Sequence, residues 1–118
     1  MKRTILISLI FIALFSCNKD EIYDDAGYAI GTINTYTSVM GVLTYHYEFK
    51  VENKTYRGDK KSGIGNSGGE NRMLGRQYLV VYKRTDPNKS DLNFRYPITD
   101  EQQFNDLVEG FKDNPPKQ

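Results

Sequence analysis

The sequence predicts a small, mainly β domain of the α+β class: about five antiparallel strands in a curled sheet or a partly closed barrel, with one C-terminal helix. Three observations predict this fold. Residues 43–51 alternate apolar and polar side chains, the period of a strand buried on one face. Nine tyrosines supply large side chains that favour strands. Residues 104–111 carry apolar side chains at i, i+3, i+4 and i+7, the period of an amphipathic helix.

The first predicted strand begins at Ala26 and has two alternating faces. Gly31 in its interior predicts a bend or a bulge, because glycine weakens a strand. Residues 38–41 predict a turn. One face of the strand carries Tyr28, Ile30, Thr32, Asn34 and Tyr36, and the other carries Ala29, Gly31, Ile33 and Thr35.

The second predicted strand is followed by a hairpin turn and then by a glycine-rich segment. Residues 52–54 predict the turn, with Asn53 at positive φ, and residues 55–57 predict the returning strand. Residues 58–75 contain six glycines and only three large apolar side chains. We expect a long loop there, a kind of segment that is normally functional or disordered. The apolar face of the second strand consists of Leu43, Tyr45, Tyr47, Phe49 and Val51.

Two further strands and the helix complete the predicted domain. Residues 77–84 carry apolar side chains on both faces, which predicts a central strand. Residues 86–88 predict a type I turn, and residues 92–96 predict the last strand. Thr99 and Gln102 fit a capping box at the start of the helix. The apolar helix face, which we expect to contact the sheet rather than a partner, consists of Phe104, Leu107, Val108 and Phe111.

The composition excludes several kinds of site. One cysteine excludes a disulfide within the chain and a cysteine-based zinc site, and one histidine excludes a multi-histidine metal site. A net charge of +1 over 118 residues lacks the basic excess of a nucleic-acid-binding domain. The sequence places no nucleophile beside His46, and no helix follows the GxGxxG pattern at residues 63–68. We therefore predict no catalytic residue, no metal, no cofactor and no nucleic-acid partner.

The N-terminus has the organisation of a secretory signal peptide. Two cations, Lys2 and Arg3, precede an apolar run at residues 5–15. Such a run rises about 16 Å as a helix, too little to cross about 30 Å of hydrocarbon. The segment Leu14-Phe15-Ser16-Cys17 then resembles the lipobox of bacterial lipoproteins. The resemblance implies cleavage after residue 16 and acylation of Cys17, which would anchor the chain in a membrane.

The residues after the cysteine resemble the export signal of surface lipoproteins of the Bacteroidota. In this chain the signal consists of Lys19, Asp20 and Glu21. The resemblance implies a lipid-anchored protein of the bacterial outer membrane that is exposed on the cell surface; an ordinary acidic tether is the alternative. The predicted organisation is a signal peptide at 1–16, an acylated cysteine and flexible acidic tether at 17–25, a β domain with its helix at 26–112 and a disordered tail at 113–118.

Charge is segregated along the sequence. Residues 54–84 carry eight basic and two acidic side chains, a net charge of +6, between acidic flanks. A basic surface attracts an anionic partner, such as an acidic glycan, a lipopolysaccharide phosphate or an acidic protein face. Internal compensation by the acidic segments is the alternative. The candidate contacts of such a partner are Arg57, Lys60, Lys61, Arg72 and Arg76.

These features predict a non-enzymatic surface lipoprotein with a small binding domain. The alternating hairpin, the glycine-rich segment and the Tyr78-x-Val80-x-Tyr82 pattern resemble small Bacteroidota lipoproteins, a likeness that implies no activity. Other functions stay open. The chain could be an accessory of a larger outer-membrane complex, a protein without a ligand, or a small hydrolase with clustered carboxylates or a serine–histidine pair.

Overall fold

The computed structural model describes residues 19–64 and 70–118 and confirms the predicted mainly β fold. Five antiparallel strands form one curled sheet in the order β3-β2-β1-β4-β5. The predicted signal peptide, Cys17 and most of the GxGxxG pattern lie outside the described residues. Along the chain the elements are α1 (Lys19–Asp24), β1 (Ala26–Val39), β2 (Val42–Val51), β3 (Lys54–Ile64), α2 (Glu70–Met73), β4 (Gln77–Lys83), β5 (Asp86–Pro97) and α3 (Glu101–Gly110).

Strand β1 pairs with β4 over its first half and with β2 over its second half. The β1–β2 register shifts between Ile33 and Thr35. The bulge predicted at Gly31 therefore lies three residues later, at Asn34. The bulge reverses the alternation, and Tyr36 packs with Ile33 rather than sharing the face of Tyr28. The predicted faces of this strand are wrong beyond the bulge, because one extra residue breaks the period of two.

Strand β2 confirms the predicted one-sided burial. A two-residue turn connects it to β1 before it and to β3 after it. Met40 and Gly41 have φ of 52° and 82°, and Glu52 and Asn53 have φ of 50° and 69°. Two central residues at positive φ match the twist of a two-residue hairpin. The positive φ predicted at Asn53 is confirmed, whereas Lys54 belongs to β3 rather than to the turn. The buried side chains of β2 are Leu43, Tyr45, Tyr47 and Phe49.

Strand β3 extends into the segment that the sequence predicts as a loop, and that prediction is wrong for residues 58–64. The physical reason is the length of β2. If β3 stopped at Arg57, residues 42–47 would leave a row of backbone groups without partners. Pairing overrides the weak strand propensity of glycine. Position 58 also requires a glycine, because the Cβ atom of any other residue would lie 2.3 Å from the Tyr47 hydroxyl.

Strand β4 lies between β1 and β5 and is the predicted central strand. Residues 78–81 are all buried, so both faces of β4 contribute to the core. The next turn differs from the prediction: it consists of residues 84–85, and Asp86 already pairs with Lys83. The Asp86 carboxylate instead accepts a hydrogen bond from the Asn88 N–H at 3.3 Å, inside an irregular part of β5. The hydrogen bond from a main-chain N–H to the aspartate side chain, which is typical of a turn, therefore forms within the strand.

Helix α3 begins one residue later than predicted. The Asp100 carboxylate accepts a hydrogen bond from the Gln103 N–H at 2.8 Å, and the Gln103 side chain accepts one from the Thr99 N–H at 3.2 Å. The N-cap is thus Asp100 instead of Thr99, and Gln103 takes the place predicted for Gln102. An aspartate suits this position because its charge also faces the positive end of the helix.

Removing this cap is the first testable change. We expect Asp100→Ala to lower the free energy of unfolding by about 1 kcal/mol, because the first turn loses an acceptor for its N–H groups. Urea unfolding followed by circular dichroism measures the loss. The control is Asp106→Ala on the exposed side of the same helix, for which we expect a change below about 0.5 kcal/mol. Equal losses in the two variants would contradict the capping role.

The sheet separates two hydrophobic clusters. The inner cluster fills the curl of the sheet and includes Ile33, Tyr47 and Leu92, which are almost completely buried. The outer cluster lies on the opposite face, around Leu79 and Val81. Helix α3 packs there, so its apolar stripe contacts the sheet as predicted. It covers the outside of the half-barrel, and the sheet does not curl around it. The residues of the stripe are Phe104, Leu107, Val108 and Phe111.

The two edge strands approach each other and give the sheet its half-barrel shape. Strands β3 and β5 stand at opposite ends of the strand order. The Tyr47 and Ser90 hydroxyls nevertheless lie 2.7 Å apart, and the Lys60 ammonium lies 2.7 Å from the Asp91 carboxylate. We call this place, where Tyr47 and Lys60 meet Ser90 and Asp91, the seam. Side-chain contacts across the seam hold the curl.

The segments predicted as a flexible tether and a disordered tail differ from those predictions, because both pack against β5. In α1, Ile22 is buried and the Tyr23 hydroxyl donates a hydrogen bond to Asp91 at 2.8 Å. Near the C-terminus, the Asn93 side chain donates a hydrogen bond to the Lys117 carbonyl at 2.7 Å. Each segment is held by residues that are far away in the sequence. The composition of the segment itself therefore does not predict that it packs against β5.

Candidate functional site

The five cations predicted to contact a partner lie in three different places. Arg57 is on the outer face of β3, where its Nε lies 3.1 Å from a carboxylate oxygen of Glu48. Lys60 and Lys61 lie farther along β3, beside the seam. The exposed Arg76 stands just before β4, which β1 and β2 separate from β3, and the exposed Arg72 lies in α2, four residues earlier. The structure does not bring the five side chains to one surface.

Lys60 takes part in the fold. Its ammonium contacts Asp91 at 2.7 Å and lies 6.0 Å from the centre of the Phe94 ring. The exposed fraction is 18% for the Lys60 side chain and 6% for Asp91. The second oxygen of Asp91 accepts the hydrogen bond from Tyr23, whose pKa is raised by burial and by that bond. Lys60 therefore shows the internal compensation that the sequence left open as the alternative.

A second lysine reaches the same carboxylate from α1. The Lys19 ammonium lies 3.8 Å from Asp91 Oδ1. Contact with the Lys60 side chain lowers the pKa of Lys19, the Asp91 carboxylate opposes this shift, and burial adds to the lowering. Two ammonium groups thus share one carboxylate, which leaves an excess of positive charge beside the seam.

A cavity of about 340 Å³ opens at this place. We call it the lysine cavity. Its wall carries three lysines and two aspartates, a formal charge of +1. Both aspartates already have partners: Asp91 contacts Lys60 and Tyr23, and Asp59 contacts His46 at 2.6 Å. The wall consists of Lys19, Ile22, Asp59, Lys60, Lys61, Ser90 and Asp91. Its chemistry suits a small anionic group.

A larger groove of about 630 Å³ runs over the outer face of the sheet beside α3. Tyr28 and Phe104 supply aromatic surface to it. Its charged side chains are Glu48, Glu101 and Lys50, so the groove has an acidic excess. An anionic partner of the kind predicted from the sequence would be repelled there. The lysine cavity is therefore the better candidate.

His46 has two partners that the sequence could not place beside it. Its Nδ1 lies 2.6 Å from Asp59 Oδ1, and its Nε2 lies 3.1 Å from the Thr37 hydroxyl. A hydroxyl, an imidazole and a carboxylate follow each other in this order in hydrolase relays. Here the three residues are neighbours on adjacent strands, and the Asp59 side chain is 70% exposed. Cross-strand contacts of this kind stabilise a sheet and need no catalytic role to explain them.

Sequence reasoning found two lysines of the cavity and missed the third. Lys60 and Lys61 belong to the basic segment, whereas Lys19 belongs to the predicted export signal and tether. The apolar pair Ile22 and Tyr23 inside a charged run was the only local signal that this segment docks on the domain. The curl that brings α1, β3 and β5 together has no local signal, because it depends on contacts across the seam.

Comparisons with known proteins add no relative. No protein-family model, no curated protein and no solved structure matches this chain. Within residues 19–64 and 70–118, no group of three or more histidine, cysteine or acidic side chains is placed to hold a metal ion. None of the helices in the described ranges is long and apolar enough to span a membrane.

Proposed function

We propose that this chain is a membrane-anchored lipoprotein whose β domain binds an anionic partner without catalysis. The observation that carries the proposal is the lysine cavity, where Lys19, Lys60 and Lys61 converge with an excess of positive charge. Fixed positive charge in a concave site raises the local concentration of anions. The proposed partner is anionic, as the sequence predicts. Its proposed binding site is the lysine cavity at the seam rather than the glycine-rich segment.

The anchor is supported by the sequence. A short cationic start, an apolar run too short to cross a bilayer and a lipobox ending at Cys17 occur in the order of a lipoprotein signal. The lysine and the two acidic residues that follow support display on the outer surface of the outer membrane. Two or more acyl chains on one cysteine would hold the domain stably in the membrane.

The anchor is tested by Cys17→Ser in a bacterial host that acylates lipoproteins. We expect the variant to lose the lipid and its membrane-bound fraction to fall about tenfold or more, because stable anchoring needs two lipid chains. The intact mass and the fractionation of a salt-washed membrane measure both effects. Ser16→Ala keeps a small residue before the cysteine and is the control that should remain acylated. An unchanged mass and unchanged fractionation of the cysteine variant would overturn the anchor.

A second function, that of an accessory to a larger envelope complex, is favoured by a different observation. The turn between β1 and β2 exposes three apolar side chains, and Met40 at its apex is 98% exposed. Grouped apolar side chains on a surface mark a place of interaction. We call Val39, Met40 and Val42 the hairpin tip. A protein held at the tip should remain bound through a high-salt wash, whereas a partner held by the lysine cavity should be released.

A further inference from the structure

We infer that the side of the domain carrying the hairpin tip and the lysine cavity lies on the lipid surface. The hairpin tip enters the boundary between headgroups and acyl chains, and Lys19 and Lys61 contact lipid phosphates. The inference rests on the proposed anchor, and it names the anionic partner of the lysine cavity as the phosphate groups of the membrane lipid itself.

Lys61 of the lysine cavity lies near the hairpin tip, whereas Asp91 is in register with Val81 and Tyr28, toward the start of β1. The closing of the seam brings these two parts of the cavity together. Lys61 pairs with Thr44, two residues before Val42 when β2 is followed toward the tip. Two residues of strand span about 7 Å, so Lys61 is set back from the tip by about that distance. Met40 projects beyond both at the apex of the turn. An apolar apex with Lys61 a short distance behind it matches the order of acyl boundary and phosphate layer at a membrane surface.

The proposed anchor leads the chain to the lysine cavity. Lys19 is two residues after Cys17, so their Cα atoms are at most about 7 Å apart. The polar headgroup layer on each side of a bilayer is about 5–8 Å thick. A lysine tied this closely to an acylated cysteine is therefore held within reach of the phosphate groups.

Helix α1 fixes the orientation of the domain relative to the anchor, because its side chains are packed against the sheet. Ile22 is buried against the outer cluster, and Tyr23 is bonded to Asp91. Glu21 contacts Lys83 and Lys89 of β4 and β5. With an anchor two residues before such a helix, the seam and its cavity face the lipid.

The acidic groups around the cavity have partners within the domain. Asp91 is buried beneath Lys60, Lys19 and Tyr23, and the Asp59 carboxylate contacts His46. Asp20 of α1 accepts a hydrogen bond from the Gln118 side chain at 2.8 Å. Asp59 and Asp20 are exposed and keep their charge, so the contact with lipid phosphate depends on the positions of the exposed Lys19 and Lys61 rather than on net charge.

Fluorescence tests the hairpin tip directly, since the chain has no tryptophan of its own. In Val39→Trp, an ordinary strand position, the introduced indole should shift to shorter wavelength and be quenched by brominated lipid when the acylated protein is placed in phosphatidylglycerol vesicles. Lys54→Trp, at the start of β3 and opposite Val51, is the matched control and should stay in water, about 30 Å away. An unquenched indole at position 39 in acylated protein would overturn the inference and leave the anchor standing.

Lysine acetylation tests the phosphate contacts in the unsubstituted protein. Relative to the exposed Lys112, we expect Lys19 and Lys61 to react about fivefold more slowly in phosphatidylglycerol vesicles than in vesicles of a phosphate-free galactolipid. Equal rates in the two vesicles would overturn the lipid contact. The same protection by inorganic phosphate in detergent would instead identify a site for free phosphate and contradict the lipid as source.

The intact mass of the same sample separates the two proposals. A chain without a lipid on Cys17 would refute the anchor, and the vesicle assays would then decide whether the hairpin tip and the lysines bind phospholipid on their own. If the indole of Val39→Trp left water only after envelope proteins were added, the result would favour the accessory function and overturn insertion into lipid.

Discussion

Asp91→Asn is expected to lower the free energy of unfolding by about 3 kcal/mol, the largest loss that we predict for a single polar substitution in this chain. The carboxylate is 6% exposed and contacts the Lys60 and Lys19 ammonium groups and the Tyr23 hydroxyl. The amide has no charge, so Lys60 would stay at the seam without its counter-ion. Because the same carboxylate holds α1 to β5, we expect the docking of α1 to weaken as well. Urea unfolding measures the free energy, and amide hydrogen exchange measures the opening of α1.

Two further variants separate the lost charge from a general effect of the substitution. Asp106→Asn makes the same chemical change on an exposed helix position and should change stability by less than about 0.5 kcal/mol. Lys60→Met in the Asp91→Asn background removes the uncompensated ammonium, so the double variant should lose less than the two single variants together. Strict additivity would show that Lys60 and Asp91 do not act as a pair.

The second large effect is expected for Gly31→Ala, with a loss of about 2–3 kcal/mol in the free energy of unfolding. A Cβ atom at this position would lie 2.3 Å from a methyl group of Val80 and 2.9 Å from one of Leu92. Both neighbours are fully buried in the inner cluster, so they cannot move aside without disturbing the packing. Thermal or urea unfolding measures the loss.

The steric cause of this loss has its own test. Val80→Ala opens space beside position 31, so the Gly31→Ala change should cost less in that background than in the unsubstituted chain. Gly110→Ala is the matched control: no neighbouring atom lies within 4 Å of its added Cβ, and a better helix former should raise stability by about 0.5–1 kcal/mol. If both glycine variants lost stability alike, close approach at Gly31 would not be the reason.

The elements that could be predicted from the sequence are those whose signal is local. The alternation in β2, the two-sided apolar run of β4 and the helical stripe ending at Phe111 each belong to one continuous segment, and each follows from the geometry of a strand or a helix. The antiparallel mainly β class follows in turn from short connections between such segments. The positive φ at Asn53 is local in the same sense, because a two-residue turn requires it.

The features that could not be predicted depend on partners distant in the chain. Residues 58–64 form a strand because β2 offers them a row of backbone groups. The bulge after Ile33 depends on how β1 is shared between two neighbours. The order of α1 and of the tail near Lys117 depends on two buried polar residues of β5, Asp91 and Asn93.

The candidate site shows the same division. Composition and spacing account for the lipobox, for the basic segment and for the choice of an anionic partner, since these depend only on residue type and order. Which lysines meet, and at which end of the molecule, was decided by the closing of the sheet edges at the seam. That closing joins Lys60 to Asp91 across 31 residues and brings Lys19 to the same carboxylate. Charge is a property of the chain, whereas the concentration of charge in one cavity is a property of its packing.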